Sequence, residues 1–259
     1  MGQAPDELER GRAAHGRRAW RDAYDALSRA DRAAPLGPAD LEALATAAYV
    51  LGLDEDYGRL LQRAHALHLE AGEAPRAVRC AFWLALSLLL RGETSRAAGW
   101  FGRAERVLDE AGEDGVERGY LLIPAVLRHA HGGGGGDDAA AGAVAAEAAA
   151  IGRRFGDADL VALVVQEQGH ALIRQGDLET GLRLLDETMV AVTAGELSPI
   201  VTGLVYCNTI AFCQSVFEVR RAREWTSALT QWCAGQPDMV AHTGVCLVHR
   251  AEIMQLQGA

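Results

Sequence analysis

His65 and His68 in "RAHALHL" stand one helical turn apart, a spacing at which one helix can offer two imidazoles to a metal ion. Such a site needs a third and a fourth ligand. None is recognisable nearby, so the pair reads as ordinary solvent-facing histidines and no metal is expected. His129 and His131 flank a glycine run at a helix end, where imidazole suits the helix dipole, and they too are assigned no metal. Cys207 and Cys213 lie six apart, share no helical face well, and read as small buried apolar groups. The five cysteines, at 80, 207, 213, 233 and 246, form no CxxC pair, which suggests reduced thiols in a cytoplasm. No GxSxG elbow, no HExxH and no scaffolded pair of catalytic carboxylates emerges. The expectation is therefore no enzyme, no catalytic residue and no cofactor.

The glycine run itself, Gly132–Gly136 in "HAHGGGGGDDAAAGAVAAEAAA", invites comparison with a phosphate loop. A phosphate loop would continue into Gly-Lys-Ser/Thr, and here Asp137 and Asp138 follow instead. Two carboxylates repel phosphate but suit the start of a helix.

The elements that must carry any site are helical by composition. Alanine, leucine and arginine dominate a chain of 259 residues that is 49% hydrophobic and only 6% aromatic, a mix that loses little on entering a helix. The formal net charge of −10 argues against a general nucleic-acid-binding surface. The basic stretch "RGRAAHGRRAWR", residues 10 to 21, reads as a solvated helix face. The opening residues lack the apolar segment of a signal peptide. The longest apolar run, "CAFWLALSLLL", is shorter than the roughly 20 residues a membrane span takes, so a cytoplasmic protein with no membrane contact is expected.

A repeat organises the chain. "YVLGLDEDYGRLLQRAHAL", "LLLRGETSRAAGWFGRAERVLDEAG" and "LIRQGDLETGLRLLDETM" share one grammar: a helix end, a glycine-acidic turn, then an amphipathic helix. Taking Arg18, Gly52, Gly92, Gly132, Gly176, Glu218 and Gly258 as turn positions, the steps are 34, 40, 40, 44, 42 and 40 residues. Gly11, Ala45, Ala85, Ala125, Gly169 and Ala251 lie seven residues before their turns, with Ile210, beside Ala211, in the remaining unit. Small residues there let two helices approach closely. The glycine run then reads as about four surplus residues inserted at a helix–helix turn, since Gly136 to Gly176 is again 40. The map is a hairpin over roughly 6–33, further hairpins at 38–72, 74–112, 114–156, 157–195 and 198–235, and a lone first-type helix at 238–257, about thirteen helices in all. That last helix lacks a capping partner, so either the natural protein continues or another chain covers this end.

These residues resemble the tetratricopeptide repeat family, whose motif places small residues around a glycine-acidic turn. "GETSRAAGWFGRA" fits best through Gly92, Glu93, Ala97, Phe101 and Ala104, and "AWRDAYDALSRA" follows through Ala23, Leu27 and Ala30. The longer, Ala- and Arg-rich units look like the helical region of large LuxR-type transcriptional regulators of actinobacteria, though no Walker motif and no DNA-reading domain is visible. The resemblance implies an all-α fold, a single TPR-like domain over 1–259, built as a right-handed superhelical solenoid of antiparallel helix pairs.

It also implies function. First helices of such units line a concave face, and the motif positions before each turn carry Tyr49, Arg79, Phe82, His129, Gln166, His170, Asn208 and Phe212. A groove with that lining suits a peptide, a partner protein or a small amphipathic ligand. The leading expectation is a ligand- or protein-binding sensor or scaffold domain of a bacterial transcriptional regulator. The alternative is a stand-alone protein–protein interaction adaptor, and an enzyme comes third. The segment itself is expected to bind no nucleic acid, and its open C-terminal end allows a homo-oligomer.

Overall fold

The computed structural model describes residues 3–131, 136–236, 238–241 and 243–256. Among them are thirteen α-helices and no strand: α1 (Gln3–Gly16), α2 (Trp20–Ala33), α3 (Pro38–Val50), α4 (Asp54–Glu70), α5 (Ala74–Leu90), α6 (Thr94–Ala111), α7 (Glu117–His131), α8 (Asp138–Phe155), α9 (Ala158–Arg174), α10 (Leu178–Ala194), α11 (Pro199–Ser215), α12 (Val219–Ala234) and α13 (Thr243–Leu256). They pack as antiparallel pairs, α1 with α2 through α11 with α12. This is the all-α, TPR-like architecture expected. Gly132–Gly135 and Gly258 lie outside the described residues, and with them the expected insertion and the last expected turn. No described helix is long and apolar enough to cross a membrane.

Local chemistry sets the helix starts. Asp137, Asp157 and Asp177 each accept a hydrogen bond from the backbone N–H three residues on, at 2.9, 2.8 and 3.2 Å. Each satisfies one of the N–H groups a helix start leaves unpaired. Proline occupies the first turn of α3, α5 and α11, where its missing N–H costs nothing.

The turns inside the hairpins share one geometry. Gly52, Gly92 and Gly176 adopt left-handed φ values of +74°, +80° and +97°. The next residue's N–H reaches back to the last helical turn, as Leu53 does to the Ala48 carbonyl at 2.8 Å. Arg18 (φ +59°) and Phe217 (φ +61°) make the same turn without glycine, with Ala19 bonded to Ala14 at 3.0 Å and Glu218 to Cys213 at 2.8 Å. The expected turn position Glu218 is thus corrected by one residue to Phe217. Ile210, rather than Ala211, then sits seven residues before the turn; Ile210 is buried and Ala211 exposed.

The small residues do admit close helix approach. A Cβ on Gly11 would lie 2.6 Å from Leu27 Cγ, and one on Gly169 would lie 3.0 Å from the Gly181 carbonyl oxygen. Gly181 closes the same crossing from α10: its Cβ would fall 2.4 Å from Ile173 Cγ1 and 2.6 Å from the Gly169 oxygen.

The chain forms two compact units. Unit 1 holds α1 to α6 and the short stretch Gln236–Ala241. Its core includes Trp20, Leu27, Tyr57, Leu60 and Phe82. An Arg63–Asp31 bidentate pair at 2.6 and 2.9 Å ties α4 to α2. The N–H groups of Val240 and Ala241 both donate to the Val50 carbonyl, at 2.9 and 3.2 Å. The Trp20 indole N–H donates to Gln236 Oε1 at 3.1 Å. Helix α13 therefore starts at Thr243 rather than near 238, because the preceding residues are engaged with the turn after α3. Unit 2 holds α7 to α12 and α13, with Tyr120, Leu160 and Leu185 among its fully buried side chains. Its counterpart of the Arg63–Asp31 pair is Arg221 of α12 on Asp186 of α10, at 3.1 Å.

Candidate ligand-binding site

The eight residues expected on a concave face divide between the two units. In unit 1, Tyr49 ends α3 half-buried, its ring edge-on to Tyr57 with centroids 5.1 Å apart. Arg79 on α5 is also half-buried. Phe82 corrects the expectation. It is fully buried, lying 5.2 Å from the Trp83 ring and 6.1 Å from the Phe101 ring, and offers a ligand no surface. Phe101, from α6 of the same hairpin, packs against Phe82 in the core.

Unit 2 carries the other five. Its first helices are neighbours: α9 packs on α7 and on α11. His129 lies half-buried near the end of α7. Gln166 and His170 lie one turn apart on α9, 1% and 5% exposed. Asn208 and Phe212 lie one turn apart on α11, the first exposed and the second half-buried. The structure brings His170 and Phe212 together, with rings stacked at 3.9 Å between centroids and 20° between planes. Arg174, one turn beyond His170, places its guanidinium 5.8 Å from the Phe212 centroid while its Nε donates to Asp138 at 2.6 Å. A cation over an aromatic face is attracted by the ring quadrupole.

The polar atoms of this patch are poorly served. Gln166 Oε1 and His170 Nε2 are buried and have no hydrogen-bond partner among the described residues. The hydroxyl of Thr209, fully buried on α11, has none either. A buried polar atom left unpaired costs about 1–3 kcal/mol, so these three, with Gln214 Nε2 further along α11, need an explanation. The motif positions did not single out Thr209. Its register next to Asn208 was the available signal, but a threonine in an apolar helix reads as core. A hollow of this unit, between Ala162 and Val165 of α9 and Thr188 and Ala191 of α10, is lined by none of the expected residues.

The histidines expected in solvent are not there. His65 and His68 are 1% and 0% exposed. His65 Nδ1 lies 2.8 Å from the Ala77 carbonyl, its ring edge-on to Trp100 at 5.3 Å, and burial pulls its pKa below the usual imidazole value. Both face α5, whose residues the repeat stacks over α4. Cys213 is the buried thiol expected, but Cys207 is only half-buried; Cys80 is buried too, and burial pushes the Cys80 and Cys213 thiols each up to about 12.

No family model matches the sequence, and no curated protein matches it. Solved structures do. The chain is similar to the Rap conjugation gene regulator of the plasmid pLS20 in complex with the Phr* peptide, at 13% identity over 96% of this chain and 74% of that one, with a TM-score of 0.60. It is similar to a Rap protein complexed with competence and sporulation factor, at 12% identity over 98% and 76%, TM-score 0.58. It is also similar to a signal-transduction ATPase with numerous domains that bears a tetratricopeptide repeat sensor, from Pyrococcus horikoshii, at 15% identity over 80% of this chain, TM-score 0.51. The chain spans 31% of that last protein's length. At these identities the likeness establishes the fold.

Proposed function

We propose that this chain is a ligand- or protein-binding sensor domain of a bacterial transcriptional regulator, of the kind found in large LuxR-type regulators of actinobacteria. It takes a peptide on the α9–α11 patch of unit 2. The observation that carries this is the pair of unpartnered polar atoms, Gln166 Oε1 and His170 Nε2, beside the His170–Phe212 stack. A peptide backbone supplies both donors and acceptors, so by displacing the half-buried Phe212 ring from His170 it reaches and satisfies these buried atoms. Two solved proteins of this fold lend support: one is a gene regulator holding a peptide, and the other uses its repeats as a sensor. The reading makes the chain a binding domain rather than an enzyme.

The test is a thermal-shift screen of the purified chain against a library of short synthetic peptides, followed by calorimetric titration of the hit. His170→Ala and Asn208→Ala should each weaken binding tenfold or more without a comparable loss of stability. If both bind normally while Arg183→Ala on α10 abolishes binding, the α9–α11 assignment is wrong and the outer helices carry the function.

A further inference from the structure

Unit 1 assembles a donor set that the peptide reading leaves unused. Glu42 of α3, His68 of α4 and Cys80 of α5 place a carboxylate oxygen, an imidazole nitrogen and a thiol sulfur all within 4.8 Å of one another. His68 is fully buried and Cys80 is 2% exposed, while Glu42 is half-buried. The three come from three different helices, so helix stacking, not local sequence, creates the group.

The imidazole is held at both ends. Nε2 lies 2.6 Å from Glu42 Oε1, and Nδ1 lies 2.6 Å from Glu73 Oε2 in the turn between α4 and α5. A metal-bound histidine almost always donates its other ring N–H to a carboxylate or carbonyl, which fixes the tautomer. Glu73 occupies that outer position. With Nδ1–H donated to Glu73, the Nε2 lone pair is left for the side where Glu42 lies, and the Cys80 sulfur is within 4.8 Å of the Glu42 oxygen.

We infer that unit 1 holds a zinc-class metal site, with Cys80, His68 and Glu42 as ligands and Glu73 as the residue that orients the imidazole. The donor types choose the ion. Thiolate and imidazole suit zinc and its neighbours rather than magnesium or calcium, which want oxygen ligands throughout. Zinc accepts sulfur, nitrogen and carboxylate oxygen in one tetrahedral set, and three protein ligands leave a fourth position for water. The charges also close. A dication, a thiolate, a carboxylate and a neutral imidazole sum to zero, as a buried group demands.

Protons must leave for the ion to bind. A thiol must give up its proton before it can bind a metal ion. That proton passes to solvent as the Cys80 sulfur binds, while the Glu73 carboxylate holds the imidazole in place. Binding therefore tightens as pH rises.

The experiment titrates the chelator-stripped chain with Co²⁺ and follows the sulfur-to-cobalt charge-transfer absorption. One equivalent should develop the band, and Zn²⁺ should bleach it. Cys80→Ser should abolish the band and lower zinc affinity at least tenfold, whereas Cys213→Ser should leave both unchanged. Glu73→Gln should keep the band but weaken zinc about 10–100-fold. Circular dichroism of each metal-free variant checks that the helices remain, and Glu73→Gln, altering a half-exposed side chain, reports on the site where a core substitution disturbs packing. A parent chain that gives no charge-transfer band overturns the inference, as does a band that survives Cys80→Ser. Peptide binding is read at His170 and Asn208, so the two proposals fail separately.

Discussion

Gly181→Ala tests the close crossing of α9 and α10. Alanine is the better helix former by about 1 kcal/mol, so on propensity alone the change should stabilise. The structure predicts the opposite. The new Cβ would stand 2.6 Å from the Gly169 carbonyl oxygen, a backbone atom, and 2.4 Å from Ile173 Cγ1. Ordinary contact begins at 3.4 Å, so the helices would have to part by 3.4 − 2.6 = 0.8 Å at this point. Ile173 cannot simply rotate away, because it belongs to a buried cluster with Leu182, Leu185, Cys213 and Ala222. Overpacking of this kind costs about 1–3 kcal/mol and sometimes more, and with a backbone atom involved the upper end applies. Subtracting the propensity gain leaves a net loss of about 2 kcal/mol. At about 2–4 °C per kcal/mol, the thermal midpoint should fall by several degrees. Gly169→Ala meets its nearest atom at 3.0 Å, so the same arithmetic puts it close to neutral. Urea unfolding followed by circular dichroism reads both variants. A Gly181→Ala chain as stable as the parent, or more stable, would refute the close-crossing argument.

Other outcomes follow from the same geometry. Phe217→Gly should stabilise by about 0.5–1 kcal/mol, because a left-handed residue that is not glycine carries about 1–2 kcal/mol of strain and glycine gives back only part of that as chain entropy. The Phe217 side chain is 81% exposed, so little packing is lost; an unchanged or lower urea midpoint would count against the turn assignment. The Cys213 thiol, raised from 9.0 to about 12 by burial, contributes stability that is complete below pH 9 and drains away as pH climbs toward 12. Cys213→Ala should flatten that alkaline slope in denaturant titrations. His15 titrates the other way: burial lowers its pKa below 6.5, so its contribution is complete above that value and is lost as pH falls. His15→Gln should remove part of the acid-side loss, and an unaltered acid limb would show that His15 is not its source.

The hairpins were legible because their punctuation is chemical. Glycines at 52, 92 and 176 mark left-handed turns, and acidic residues after them start helices, so the period could be counted from residue types alone. Gly169 announced the close crossing because a glycine inside a helix costs stability that something must offset. The register in the sixth hairpin was not legible, because Phe217 takes the left-handed turn with a side chain that gives no sign of it. The burial of His65 and His68 was hidden for a different reason. His65 meets Ala77 and Trp100, and His68 meets Glu42, 26 residues away, with Cys80 close by; all lie on helices that meet α4 only after stacking. Phe82 misled because the motif positions specify where a Cα sits, not whether a large side chain finds a pocket in the core. Gln166 and His170 were nameable from their register, but their lack of hydrogen-bond partners is a property of packing alone.

The bond from Val240 to Val50 has a consequence for the order in which the chain can assemble. Contacts within a hairpin join residues a few dozen apart and can form as soon as both helices exist. This one joins residues 190 positions apart, 240 − 50, within a single unit. Closing so long a loop costs little more entropy than closing a shorter one, but it waits on synthesis of everything between. Unit 1 is therefore left with an unsealed flank on the ribosome after its first 113 residues have emerged, and the Trp20 indole lacks its Gln236 acceptor until the final hairpin has been made. Tryptophan fluorescence during refolding should accordingly contain a late phase that Trp20→Phe removes, after most of the helical signal has already formed.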